Sequence, residues 1–165
     1  MSKNISHELR YPGATIDQVV AMLADPGFRE AVADYQGVKR SQVEVTPEGD
    51  GRKVVVDLVH ATDRVPSFAR KFVGDEINIV SEENWSSDTE ADIFVTIPGK
   101  PGDMKGTSRV VQAGDDVVQT NRLTVKVGIP LVGGRIEDLI AGLLVKAFTA
   151  ENKVGVKWLA GEWKA

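Results

Sequence analysis

An apolar repeat near the C-terminal end of the chain constrains the fold most. Its members recur at spacings of three and four residues: Ile136, Leu139, Ile140, Leu143, Ala147, Ala150, Val154 and Trp158. This spacing places them on one face of an α-helix. It predicts an amphipathic helix of about 25–30 residues, roughly 40 Å long. A strand of eight residues spans only about 26 Å, so such a helix must either cross a sheet obliquely and overhang it or break near Gly155.

A long helix with one apolar face has to bury that face against another element. From Val38 to Val127 the period of the sequence is two, with turn signals at Glu48–Gly51, Pro98-Gly99 and Gly114–Asp116. Short alternating segments joined by tight turns are typical of an antiparallel meander. A further strand is predicted over residues 4–11. The fold class is therefore α+β, with a curved antiparallel sheet of six to seven strands around the long helix.

Two short helices are predicted directly after the first strand. Thr15 is a good N-cap for the first, and Asp25-Pro26 provides an N-cap and a first helical residue for the second. Phe68 and Phe72 are four residues apart, which is compatible with another helical turn. The 165 residues fit one domain, so we expect a single domain over residues 1–165.

A strongly curled sheet cannot contact a straight helix along the whole length of the helix, so a gap is expected between them. Small residues on both walls, Ala147 and Ala150 on the helix and Gly106 and Ser108 on a strand, favour an open cavity. The alternative is that an aromatic side chain fills the gap; the candidates are Phe72, Phe94, Trp85 and Phe148.

The parity of the strands and the phase of the helix predict which side chains face this gap. We expect the ligand-binding residues to be Leu58, His60, Ile79, Val95, Gly106, Ser108, Val110, Leu123, Val125, Ile136, Ile140, Leu143 and Ala147. Asp57 and Arg109 have the opposite parity; either would become a ligand anchor only if it turned inward.

Several kinds of chemistry are disfavoured by composition. The chain has no cysteine, which excludes disulfides and thiolate sites. His7 and His60 are too far apart in sequence to form a recognised metal motif, so neither a metal nor a cofactor is expected. The net charge is −4 and basic residues are scattered, which argues against nucleic-acid binding. Because no apolar run is long enough for a membrane span or a signal peptide, a cytoplasmic protein is expected.

No recognised catalytic constellation occurs in the sequence. His60 shares the parity of Val56 and Leu58, and an inward histidine could act as a general base on a bound molecule. The alternative is a histidine near a strand end that hydrogen-bonds to backbone or water. We therefore assign no catalytic residue and keep His60 as a weak candidate.

Two segments carry a family resemblance. The segment from Ile129 to Glu137, between the last strand and the long helix, resembles that junction in bacterial members of the START/Bet v 1-like (SRPBCC, helix-grip) superfamily. The opening is similar too, with Tyr11-Pro12-Gly13, a helix starting at Thr15, and Leu23–Pro26. The resemblance covers essentially the whole chain and is strongest to a bacterial branch of unknown function. It implies a helix-grip fold and a lipid-, polyketide- or steroid-like ligand between helix and sheet.

Three functions remain open at this stage. The first is binding or carriage of an apolar small molecule. The second is a cyclase- or dehydratase-type enzyme that acts on such a molecule through an inward His60 or a carboxylate, since the resemblance covers enzymes as well as carriers. The third is an interaction or homodimerisation module that uses Trp163 near the end of the helix.

Overall fold

The computed structural model describes residues 2–163. The elements in chain order are β1 (Lys3–Pro12), α1 (Ile16–Leu23), α2 (Pro26–Gln36), β2 (Arg40–Glu48), β3 (Gly51–Ala61), α3 (Ser67–Val73), β4 (Glu76–Trp85), β5 (Glu90–Thr96), β6 (Asp103–Ala113), β7 (Asp116–Lys126) and α4 (Gly133–Leu159). The predicted order of elements is confirmed, and α3 forms where Phe68 and Phe72 indicated a helical turn.

The strands form one seven-stranded antiparallel sheet in the order β1-β7-β6-β5-β4-β3-β2. The first strand pairs with the last, so the β1 edge lies next to the segment that leads into α4. The contact between α4 and the sheet is made mainly with β1 and β7. The rest of the inner face extends away from the helix towards β2, which leaves space between them.

Both short helices start at the predicted caps. The Thr15 hydroxyl accepts a hydrogen bond from Gln18 N, and the Gln18 side chain accepts one from Thr15 N, a complete capping box. Asp25 accepts from Gly27 N at the start of α2. Both helices pack against α4. Met22 of α1 approaches Gly155 and Phe28 of α2 packs edge-on against Trp158, so the two helices cover the C-terminal half of α4.

The long helix is continuous over 27 residues and does not break near Gly155. Gly155 instead packs against Tyr11 of β1, where a Cβ would lie 2.6 Å from the ring. The helix begins at Gly133, earlier than the apolar repeat. Only glycine fits closely here, because a Cβ would be 2.5 Å from Val127 O. One turn later, the buried Glu137 carboxylate accepts a hydrogen bond from Val127 N at 2.8 Å.

The core consists of two apolar clusters. One surrounds Tyr11, Phe28 and Trp85 beneath α1 and α2. The other surrounds Met104 and Ile136 near the start of α4. The candidate cavity is lined by members of both clusters.

Candidate functional site

An open cavity of about 460 Å³ lies between the inner face of the sheet and α4. None of the aromatic residues considered above fills it. Trp85 is buried in one core cluster, Phe72 packs against the other, and Phe94 is 42% exposed. Phe148 contributes only to the wall. A volume of this size is within the range of pockets that hold small organic molecules.

Most residues of the predicted set line this cavity. They are Leu58, His60, Ile79, Val95, Ser108, Leu123, Ile140, Leu143 and Ala147. Other aliphatic side chains complete the wall, among them Val32, Val56, Ile77, Ile93, Ile97, Leu139 and Leu144.

Four predicted residues lie outside the cavity lining. Val110, Val125 and Ile136 face inward but are packed in the two core clusters, above and below the open space. Gly106 does not provide space for a ligand. A Cβ there would lie 1.7 Å from Arg122 O, so its missing side chain lets β6 and β7 approach each other.

The two charged strand residues that could have turned inward do not line the cavity. Arg109 is exposed and donates a hydrogen bond to Glu90 at 2.6 Å, and Asp57 accepts one from Asn78 at 2.6 Å.

Exposed lining residues mark the open side of the cavity: Tyr35 near the end of α2, Ala61 at the end of β3, Arg64 after β3, and Lys146 on α4. His60 lies near this side and is half-buried. Burial lowers the pKa of His60 below its usual 6.5. The imidazole is therefore mainly neutral at pH 7 and able to accept a proton.

A buried ion pair forms part of the opposite end. Arg29 of α2 donates two hydrogen bonds to the Glu83 carboxylate of β4, both 2.8 Å long, and a third to Leu23 O at 2.9 Å. Trp85 Nε1 donates to the same carboxylate at 2.9 Å. The Arg29 and Glu83 side chains are 6% and 13% exposed, and both residues line the cavity. In such a buried pair, well-aligned hydrogen bonds to each charged group compensate for the loss of its contact with water.

A second carboxyl, Glu151 of α4, lies beside this pair. Its Oε1 is 3.9 Å from Arg29 Nη1, and within residues 2–163 this buried atom has no hydrogen-bond partner. Burial raises the pKa of Glu151 from 4.5 to about 7; the nearby Arg29 opposes the rise and Glu83 adds to it. The cavity therefore contains a carboxyl group that can take up or release a proton near neutral pH.

A family model described as "Protein of unknown function (DUF2505)" matches residues 6–159. The chain belongs to the DUF2505 family. No functionally curated protein matches it by sequence.

Solved structures show which fold this DUF2505 protein has. The Zhui aromatase/cyclase from a Streptomyces species superposes with a TM-score of 0.67 at 13% identity and covers 100% of this chain and 98% of its own. Norcoclaurine synthase from Thalictrum flavum superposes with a TM-score of 0.65 at 20% identity, and the match covers 99% of this chain and 96% of that protein. A START superfamily protein from Mycobacterium smegmatis superposes with a TM-score of 0.58 at 16% identity, and the match covers 94% of this chain and 98% of that protein. The fold is the START/Bet v 1-like helix-grip fold, as the sequence indicated.

Apart from His60 and Ser108, the polar residues of the DUF2505 cavity were not predicted from the sequence. Arg29, Glu83 and Glu151 come from three separate elements, and no local pattern brings them together. Asn121 was detectable, because it has the inward parity of Leu123 and Val125; a polar residue on an apolar strand face is the signal. Gln119 has the same parity.

Within residues 2–163 no helix combines the length and hydropathy needed to cross a bilayer. In the same residues, no group of three or more histidine, aspartate or glutamate side chains is arranged to hold a metal ion.

Proposed function

We propose that this protein binds or carries an apolar small molecule, of lipid, polyketide or steroid type, in the cavity between the sheet and α4. The observation that carries the proposal is the open volume of about 460 Å³ with a largely aliphatic wall. Support comes from proteins of the same fold that act on small organic molecules, such as the aromatase/cyclase and the synthase named above.

The energetics constrain the size of the ligand. Burial of one CH₂ group contributes about 0.8 kcal/mol, whereas association costs roughly 4–15 kcal/mol. A short alkyl chain would therefore bind weakly. A long acyl chain or a fused ring system is the better match.

Native mass spectrometry after incubation with a bacterial lipid extract tests the proposal. We expect a retained species on the wild-type protein and its loss from Ala147→Phe, which places a ring in the cavity. Thr149→Phe adds the same ring at an exposed position of α4 and should retain the ligand. A wild-type spectrum without bound species across extracts would contradict the proposal.

A second candidate, an acid–base enzyme acting on the bound molecule, is favoured by one observation. Glu151 lines the cavity, and burial raises its pKa to about 7, which suits a general acid or base. His60 is a second proton acceptor on the wall. The isosteric variant Glu151→Gln should then retain an unconverted ligand that differs from the species released by wild type in mass or, because isomerisation and simple ring closure conserve mass, in chromatographic retention and fragmentation. Species identical by all three criteria would argue for carriage alone.

A further inference from the structure

Three buried, uncharged polar side chains interrupt the apolar inner face of the sheet. Ser108 of β6 and Gln119 and Asn121 of β7 are 2%, 2% and 3% exposed, and all three line the cavity. Asn121 pairs directly with Ser108 in the strand register. Buried polar groups are normally retained with every hydrogen bond satisfied.

One buried side-chain atom of this group has no hydrogen-bond partner within residues 2–163. Gln119 Nε2 donates to Ser108 Oγ at 3.0 Å and to Asn121 Oδ1 at 3.4 Å, and these bonds orient the amide. Its other terminus, Oε1, is buried and has no donor among residues 2–163. An unpaired buried acceptor destabilises a fold, so it is retained only where something compensates.

The three side chains line the same cavity as two small residues of α4. Ala147 and Ala150 of α4 also line the cavity, and their small side chains leave its volume open. The Gln119 side chain forms part of the wall around this volume, and its unpaired oxygen is buried in that wall.

We infer that Gln119 Oε1 accepts a hydrogen bond from the ligand, whose buried end carries a hydroxyl, phenol or N–H donor. Ser108 and Asn121 act as positioning residues that hold the amide in this orientation. The ligand is then amphiphilic, with a donor at its inner end rather than a plain hydrocarbon. This inference rests on the proposed function and specifies its ligand class.

Three matched probes test the inference: 4-hexylphenol, 4-hexylanisole and hexylbenzene. They share a ring and an alkyl chain, but only the phenol can donate a hydrogen bond. Isothermal titration calorimetry on the wild-type protein should show the phenol binding about tenfold more tightly than the other two. Equal affinities, or tighter binding of the anisole, would overturn the inference and leave the proposed function standing. Binding of none of the probes would also overturn the inference, whereas the lipid-extract experiment decides the proposed function separately.

A substitution at Gln119 tests whether its amide oxygen causes the difference in affinity between the probes. Gln119→Met has a side chain of similar length and no amide oxygen. Hexylbenzene should still bind to this variant, and the phenol should bind with about the same affinity as hexylbenzene. Thr107→Val, next to Ser108 but exposed, is the matched control and should keep the tenfold ratio. A full advantage retained in Gln119→Met would contradict the role of Gln119. If that variant fails to fold, the comparison of probes on wild type still decides the inference.

Discussion

At the scale of single residues, the buried Arg29–Glu83 pair joins α2 to the sheet. Removing one partner leaves the other as an uncompensated buried charge, which costs about 3–5 kcal/mol. We expect Arg29→Met to lower the free energy of unfolding by that amount in urea denaturation. The double variant Arg29→Met/Glu83→Gln should recover part of the loss, because no unpaired charge remains. A single variant as stable as wild type would show that the pair contributes little.

Glu151 provides a residue-scale prediction about pH. Burial raises its pKa from 4.5 to about 7, so between these values the folded protein holds a proton that the unfolded chain releases. Stability due to this group therefore falls as pH rises from 4.5 to 7 and stays low above it. Glu151→Gln should be more stable than wild type at pH 8, by up to about 3 kcal/mol, and the gain should disappear near pH 4. Urea unfolding at several pH values measures this, with exposed Glu48→Gln as the control for net charge. A gain independent of pH would contradict the assignment.

At the scale of elements, alanine substitutions at two glycines of α4 separate the effect of packing on stability from the effect of helix propensity. A Cβ at Gly155 would lie 2.6 Å from Tyr11 Cε1 and 3.2 Å from Met22 Cε, both in the buried core. Gly155→Ala should therefore cost about 1–3 kcal/mol through overpacking. Gly142 is exposed with no atom within 4 Å of a Cβ, so Gly142→Ala should stabilise the helix by up to about 1 kcal/mol. Thermal unfolding monitored by circular dichroism compares them, and shifts of the same sign would refute the packing account.

At the scale of the whole molecule, members of both packed clusters line the open cavity, so a ligand bound there would contact both clusters. Binding to the folded state alone at 100 times Kd adds about 2.7 kcal/mol. For a chain of this size that raises Tm by roughly 5–10 °C. Differential scanning fluorimetry with 4-hexylphenol should show such a rise for wild type and Thr149→Phe but not for Ala147→Phe. A rise in all three proteins would place the binding site elsewhere.

The sequence alone determined the elements, their order and the direction of most side chains. The three-to-four spacing from Ile136 to Trp158 and the alternation along β3 and β6 are local properties, because the helix and strand repeats set them within a few residues. That is why His60 and Ser108 were correctly expected to face inward.

Tertiary structure alone decided where the open space ends and what its polar wall contains. Val125 and Ile136 have inward parity, yet they are packed in the core because the curvature of the sheet closes the cavity before it reaches them. Arg29, Glu83 and Glu151 meet although they lie on α2, β4 and α4. Their burial, and with it the raised pKa of Glu151, depends on contacts between residues far apart in the chain, which no local period encodes.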